Sequence, residues 1–140
     1  MIKGIGIDLV ENKRIGRLYE KYKHGFAEKI LSEDELVEYR QSNSKVSYLS
    51  KHFASKEAFS KAIGTGLFRK GLYPALINIG HNQLGKPEFI VDEKLSRILN
   101  QNNIKKLKLL NVFGFAAISF FKKAKKNGPY TNKGRLNFLV

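Results

Sequence analysis

Two carboxylates stand where packing alone would not place them. Asp8 ends the Ile and Gly part of the run Ile5-Gly6-Ile7-Asp8-Leu9-Val10, and Glu57 follows Leu49 and Phe53 at i, i+4 and i+8, sharing a helical stripe with two core-type residues. A charge among such neighbours is expensive unless a cation or hydrogen-bond donors meet it. For Asp8 the ordinary account is a carboxylate that caps a turn or accepts backbone N–H groups. For Glu57 it is an exposed ion pair with Lys61 at i, i+4. The chemical account is that Asp8 and Glu57 converge as oxygen ligands of Mg2+, which takes one or two carboxylates together with water and phosphate oxygens. Lys61 would then face those phosphates as a point charge. Spacing alone leaves both accounts open. Gly64-Thr65-Gly66 fits a simple helix C-cap and equally a close backbone approach to a ligand.

Other chemistries find less support. Gly4-x-Gly6 lacks the third glycine and the following helix of a dinucleotide fingerprint. His24, His52 and His81 are scattered without H-x-x-x-H spacing, and no hydrolase triad is indicated. The chain has no cysteine, which removes disulfide scaffolds, cysteine-ligated zinc and iron–sulfur sites and thiol catalysis together.

The elements that must position these residues follow from periodicity. Ile2, Gly4, Gly6 and Asp8 alternate with Lys3, Ile5, Ile7 and Leu9, and the segment reads as a buried strand ending near Glu11. Asn12 is the expected cap of a helix with Ile15, Leu18, Tyr19 and Tyr22 on one face and Arg14, Arg17 and Lys21 as a basic stripe on another. Ser32 and Glu35 form a capping box ahead of a short helix. After a Gln41 to Ser44 loop, a long helix from about Val46 to Ile63 stops at Gly64-Thr65-Gly66. Strands are expected at Leu76 to Ile79 and Glu88 to Val91, joined by a turn from Asn82 to Pro87. A helix capped by Asp92 comes next, and then two closing strands, Lys106 to Val112 and Phe115 to Phe121, paired as a hairpin around Gly114. The class is α+β: an antiparallel sheet packed against a long central helix.

The 140 residues make one domain with a single core, read as residues 1–121, followed by a basic tail, 122–140. No apolar run approaches the roughly 20 residues that cross a bilayer and no signal-peptide pattern opens the chain, so a soluble, cytoplasmic protein is expected. The net charge of +14 is unevenly spread: all 12 acidic residues lie at or before Glu93, against 15 basic ones, and the remaining 11 Lys and Arg follow without an acid. Such a charge calls for an acidic partner.

The residues also resemble a family. Gly4-Ile5-Gly6-Ile7-Asp8-Leu9-Val10-Glu11 with Arg14-Ile15, and Phe53-Ala54-Ser55-Lys56-Glu57-Ala58-Phe59-Ser60-Lys61-Ala62-Ile63-Gly64-Thr65-Gly66, closely resemble the two signature segments of bacterial holo-(acyl-carrier-protein) synthases, the phosphopantetheinyl transferases. The usual F-A-A-K-E-A differs here only at Ser55. Leu31-Ser32-x-x-Glu35 and Gly85-Lys86-Pro87 extend the resemblance over residues 2 to 91. It implies an α+β fold assembled as a homotrimer with active sites between subunits. The implied reaction transfers 4'-phosphopantetheine from coenzyme A to a serine of apo-acyl carrier protein, releasing 3',5'-ADP, in fatty acid biosynthesis. It further implies that Asp8 and Glu57 hold Mg2+ on the diphosphate, with Lys61 beside the phosphates, and that His52 and Lys56 lie near the nucleotide's 3'-phosphate. Gly64, Thr65 and Gly66 would line the coenzyme pocket, and Arg14 would meet the carrier protein, where Arg17 and Lys21 extend the same basic face. The serine proton would pass to a carboxylate, or to a water on the metal, near Asp8 or Glu57.

The far end departs from that pattern. Where such synthases carry S-x-[ST]-H, Asn111-Val112-Phe113-Gly114 leads into Phe115-Ala116-Ala117-Ile118, and no histidine follows His81. The alternative reading is an RNA- or ribosome-binding module using the cationic back third, since Lys-rich segments adhere to polyanions. Phe113, Phe115, Phe120 and Phe121 alternate with small or aliphatic residues, which suits core strands better than base stacking, so no specific nucleic-acid partner is expected. Leu136 to Val140 is too short for a membrane-surface helix.

Overall fold

β1 (Ile2–Leu9) packs against α4 (Lys45–Ile63) at backbone contact, and two glycines permit it. A Cβ on Gly6 would overlap the Ala58 carbonyl oxygen and lie 2.7 Å from the Ala62 nitrogen, and one on Gly4 would overlap the Ala62 carbonyl. Thus the Gly4-x-Gly6 pair serves helix packing. The computed structural model describes residues 2–112 and 116–123.

β1 is followed by α1 (Asn12–Tyr22), α2 (His24–Ile30), α3 (Glu33–Gln41) and α4, then a 3-10 turn (Pro74–Leu76), β2 (Asn78–His81), β3 (Pro87–Ile90), α5 (Glu93–Gln101), β4 (Ile104–Val112) and β5 (Ala116–Lys123). The main sheet has the order β1-β5-β4 with both pairings antiparallel, and β2-β3 form a separate hairpin. Asp8 pairs with Ala117 and Gly6 with Ser119, so the central strand fixes β1 along its length. The core includes Ile15 of α1, Leu49 and Phe59 of α4, and Leu95 and Leu99 of α5, all fully buried. The α+β class and its long helix agree with the sequence. The pairing of the two closing strands does too, Val112 standing opposite Ala116.

Three details differ. Asn12 is the first helical residue of α1, not its cap; Glu11 occupies the cap position in extended conformation without a side-chain bond to the helix. α2 has no counterpart among the expected elements, and buries Ala27 and Ile30. β1 is buried on one face only: Ile5, Ile7 and Leu9 are 52%, 58% and 73% exposed, because alternation turns them away as Gly4 and Gly6 turn toward α4. The capping box at Ser32 and Glu35 is complete, and the Asp92 side chain accepts from the Leu95 N–H to cap α5. The turn around Gly114, and the basic tail beyond Lys123 within the segment 122–140, lie outside the described residues. Among those described, no helix is long and apolar enough to cross a membrane.

Candidate active site

The contact of β1 with α4 brings Asp8 to Lys61. The Lys61 Nζ donates to Asp8 Oδ1 at 2.5 Å and to the Ile7 carbonyl at 3.3 Å. The Asp8 side chain is 12% exposed and that of Lys61 51%, so the carboxylate is recessed and the cation stands at the opening. One turn back, Glu57 is half-buried on the stripe that begins at Leu49 and Phe53. Burial, and then the Asp8 charge, push the Glu57 carboxyl above its usual range, while Lys61, the Ser60 hydroxyl and Arg14 pull the other way. Asp8, Glu57, Lys61 and Arg14 therefore form one electrostatic cluster, and Lys61 pairs with Asp8 instead of forming the ordinary i, i+4 ion pair with Glu57. Ser60, fully buried, donates its hydroxyl to the Glu57 carbonyl at 2.8 Å and reaches Glu57 Oε2 at 3.4 Å. No sequence signal marks that restraint.

Two carboxylates that repel one another suit a hard divalent cation. Mg2+ retains several waters and binds through one or two carboxylates plus phosphate oxygens. Among the described residues no group of three or more acidic or histidine side chains gathers into a metal cage, so further ligands would have to be water or substrate oxygens.

The other candidates are arranged unequally. Gly64 takes a left-handed conformation at the end of α4, and the N–H groups of Thr65 and Gly66 fold back on the Ser60 carbonyl. Thr65 Oγ1 is buried there without a partner among the described residues. His52 is buried, its ring stacked on Tyr48 with centroids 4.0 Å apart and its Nδ1 2.9 Å from the Tyr48 carbonyl. Burial, reinforced by the charges of Lys56 and His81, lowers its pKa to about 4 against the opposing Tyr48 bond and Glu38, so the ring is neutral. With the proton on Nδ1, Nε2 keeps an unpartnered lone pair, and the residue lines a pocket together with Lys51, Ser55, Ile79, His81 and Pro87.

Lys56 lies in the interior. The resemblance places it beside a phosphate, but its side chain is 0% exposed and its Nζ donates to the Ile30 carbonyl at 2.7 Å and to Glu35 Oε2 at 2.5 Å. Burial lowers the Lys56 pKa and raises that of Glu35, in each case against the pull of the partner. The Lys56 ammonium is thus held by two interior acceptors. Arg14, Arg17 and Lys21 are all exposed along α1, as the stripe requires.

A sheet of β1-β5-β4 packed on α4, with two acidic side chains and a lysine at their junction, defines a small α+β protein. The sequence model of the 4'-phosphopantetheinyl transferase superfamily matches residues 4–125, and the chain belongs to that superfamily. Among curated relatives, the holo-[acyl-carrier-protein] synthase of Neisseria meningitidis serogroup A is 49% identical over 109 residues, which is 78% of this chain and 86% of the relative. The crystal structure of the N. meningitidis synthase superposes with a TM-score of 0.79 at 43% identity, covering 88% of this chain and all of that one. The Helicobacter pylori synthase in complex with coenzyme A gives a TM-score of 0.68 at 30% identity, over 84% of this chain and 99% of that one.

Proposed function

We propose that the chain is a holo-(acyl-carrier-protein) synthase: it transfers the 4'-phosphopantetheine group of coenzyme A to a serine of apo-acyl carrier protein and releases 3',5'-ADP. The observation that carries this reading is the junction of Asp8, Glu57 and Lys61, contributed by two separate segments, on a fold shared with such synthases. Fatty acid biosynthesis in the cytoplasm is its setting.

The serine oxygen forms a bond to phosphorus while the bond from that phosphorus to the nucleotide's bridging oxygen breaks, so negative charge grows on the departing phosphate. Asp8 and Glu57 would hold Mg2+, which when bound supplies positive charge to the diphosphate. Lys61, half-exposed on a flexible stem, can turn from Asp8 to the same oxygens and stabilise the charge where it develops. The serine proton passes to one of the two carboxylates or to water held between them. Gly64, Thr65 and Gly66 contribute close backbone and the unpartnered Thr65 hydroxyl to the coenzyme pocket. The neutral His52 Nε2 is an acceptor without a partner, so a phosphate in that pocket would meet its cation in Lys51, the exposed lysine of the lining. Intact-mass spectrometry of an apo-carrier protein incubated with coenzyme A, Mg2+ and this chain tests the reading. A gain of one phosphopantetheine group is expected, and no gain under saturating conditions rejects it.

The carrier docks on α1. Acyl carrier proteins are small and acidic, and the exposed Arg14, Arg17 and Lys21 offer them a basic face that steers encounter and sets register. The variant Arg17→Ala with Lys21→Ala is expected to raise the KM for carrier roughly tenfold at low salt and to flatten its salt dependence, leaving the KM for coenzyme unchanged. Steady-state kinetics at several ionic strengths reads both.

The assembly is a homotrimer. Ile5, Ile7 and Leu9 form a contiguous apolar stripe on β1, and such an exposed row marks an interface. Ile7→Lys is expected to convert a species of three chain masses into monomer in sedimentation velocity, with the far-ultraviolet circular dichroism retained.

A further inference from the structure

Lys56 and Glu35 make a buried ion pair that needs a purpose. Both side chains are 0% exposed, and the carboxylate accepts from three donors: Lys56 Nζ at 2.5 Å, the Ser32 N–H at 2.8 Å and the Ile79 N–H at 2.8 Å. Lys56 also donates to the Ile30 carbonyl at 2.7 Å. Four elements thus meet at one point: the end of α2, the cap of α3, the start of β2 and the middle of α4. Replacing such a pair by apolar residues of similar volume is often neutral or stabilising, so net stability does not explain its presence. What an ion pair with fixed backbone donors adds is direction, because apolar contacts allow a helix to turn and slide where this geometry does not.

The direction matters because the next two turns of α4 carry the site. At about 100° per residue, Ala58 and Ala62, which receive Gly4 and Gly6 of β1, lie about 200° and 240° round α4 from Lys56. Glu57 and Lys61 lie between, at about 100° and 140°. One side of α4 is clamped by Glu35, the other by the glycines of β1, and the two functional side chains occupy the arc between the clamps.

We infer that Lys56 and Glu35 are positioning residues: their pair sets the rotation of α4 about its own axis and thereby aims Glu57 and Lys61 at Asp8. The inference rests on the proposed role of Asp8, Glu57 and Lys61. It assigns Lys56 a part in the reaction without any contact with coenzyme or metal.

The test is the double variant Glu35→Leu with Lys56→Met, which removes both charges and keeps an apolar filling. Its melting temperature is expected to equal or exceed that of the parent. Its kcat is expected to fall by about tenfold or more, with both KM values changed far less, because a misplacement of about 1 Å is enough to slow a positioned reaction by that order. A readout independent of turnover is available because the chain has no native cysteine. Nitroxide labels on Lys3→Cys in β1 and Lys51→Cys in α4, diluted with unlabelled chain, report the intrachain distance. The double variant is expected to shift or broaden that distribution. Should the double variant not fold, Glu35→Gln, of nearly the same volume, takes its place with the same readouts. A folded variant with unchanged distance distribution and a kcat reduced only in proportion to any unfolded fraction overturns the inference. If the parent itself transfers no phosphopantetheine, the functional reading fails, while the distance measurement still decides whether the pair sets α4.

Discussion

Glu57→Gln is expected to lower kcat for phosphopantetheine transfer by at least about 100-fold while leaving the protein as stable as before or slightly more so. The two effects have opposite signs for one reason. Burial and the neighbouring Asp8 both raise the Glu57 carboxyl, so its charged form is less favourable in the folded chain than in the unfolded one. For a carboxyl raised on folding, the stability it confers is present at low pH, where it is protonated, and is lost as pH rises through its folded value. At neutral pH the charge is a net burden, and the amide removes it while keeping an oxygen for the Ser60 hydroxyl. The same amide is a poor ligand for Mg2+ and no acceptor for a serine proton. Loss of ligands that only support a metal site costs about 10- to 100-fold, and a direct ligand belongs at or above that upper figure. Thermal unfolding at pH 7 set beside steady-state kinetics checks both halves. Unchanged turnover would remove Glu57 from the site.

The second large effect belongs to a residue with no side chain. Gly6→Ala is expected to destabilise the chain by about 3 kcal/mol or more, at or beyond the top of the range for overpacked cores. Overpacking is usually relieved by a side chain that yields. Here the new methyl meets the backbone of α4 at the Ala58 carbonyl and the Ala62 nitrogen, and neither can move without breaking helix geometry. Relief requires β1 to back away, which carries Asp8 from Lys61, so any folded fraction is also expected to lose activity. Gly25→Ala is the matched control: nothing lies within 4 Å of its Cβ position in α2, and there the same substitution should be neutral or stabilising by up to about 1 kcal/mol. Equal denaturant midpoints for the two variants would refute the packing account of the glycines.

These residues also show why some of the structure was legible in sequence and some was not. Strand alternation separates Gly4, Gly6 and Asp8 from Ile5, Ile7 and Leu9, so the two faces of β1 can be read directly. Periodicity does not say which face meets protein, and the hydrophobic face is the one left open. The long helix, the Ser32–Glu35 box, the Asp92 cap and the Gly64 stop are local signals, and the structure keeps all four. α2 left no such trace, because seven residues with only Ala27 and Ile30 buried carry too short a pattern. The α1 start misled for a related reason: Asn12 is a good cap by type, yet the chain turns one residue earlier, at Glu11.

For the site, the stripe of Leu49, Phe53 and Glu57 marked an anomalous carboxylate, and its meeting with Asp8 and Lys61 follows once the glycines bring β1 onto the helix. Lys56 makes a contact that no sequence signal marks. It stands beside Glu57 in sequence but points about 100° away from it on α4, into a pair with Glu35 that no local pattern foretells.

Anomalous diffraction from crystals grown with coenzyme A and Mn2+ in place of Mg2+ tests the central claim most directly. The account predicts one manganese peak between the Asp8 and Glu57 carboxylates, with diphosphate oxygens among its ligands and the Lys61 ammonium turned from Asp8 toward the phosphates. A coenzyme bound with its diphosphate remote from both carboxylates, or a manganese peak that touches neither, would contradict it.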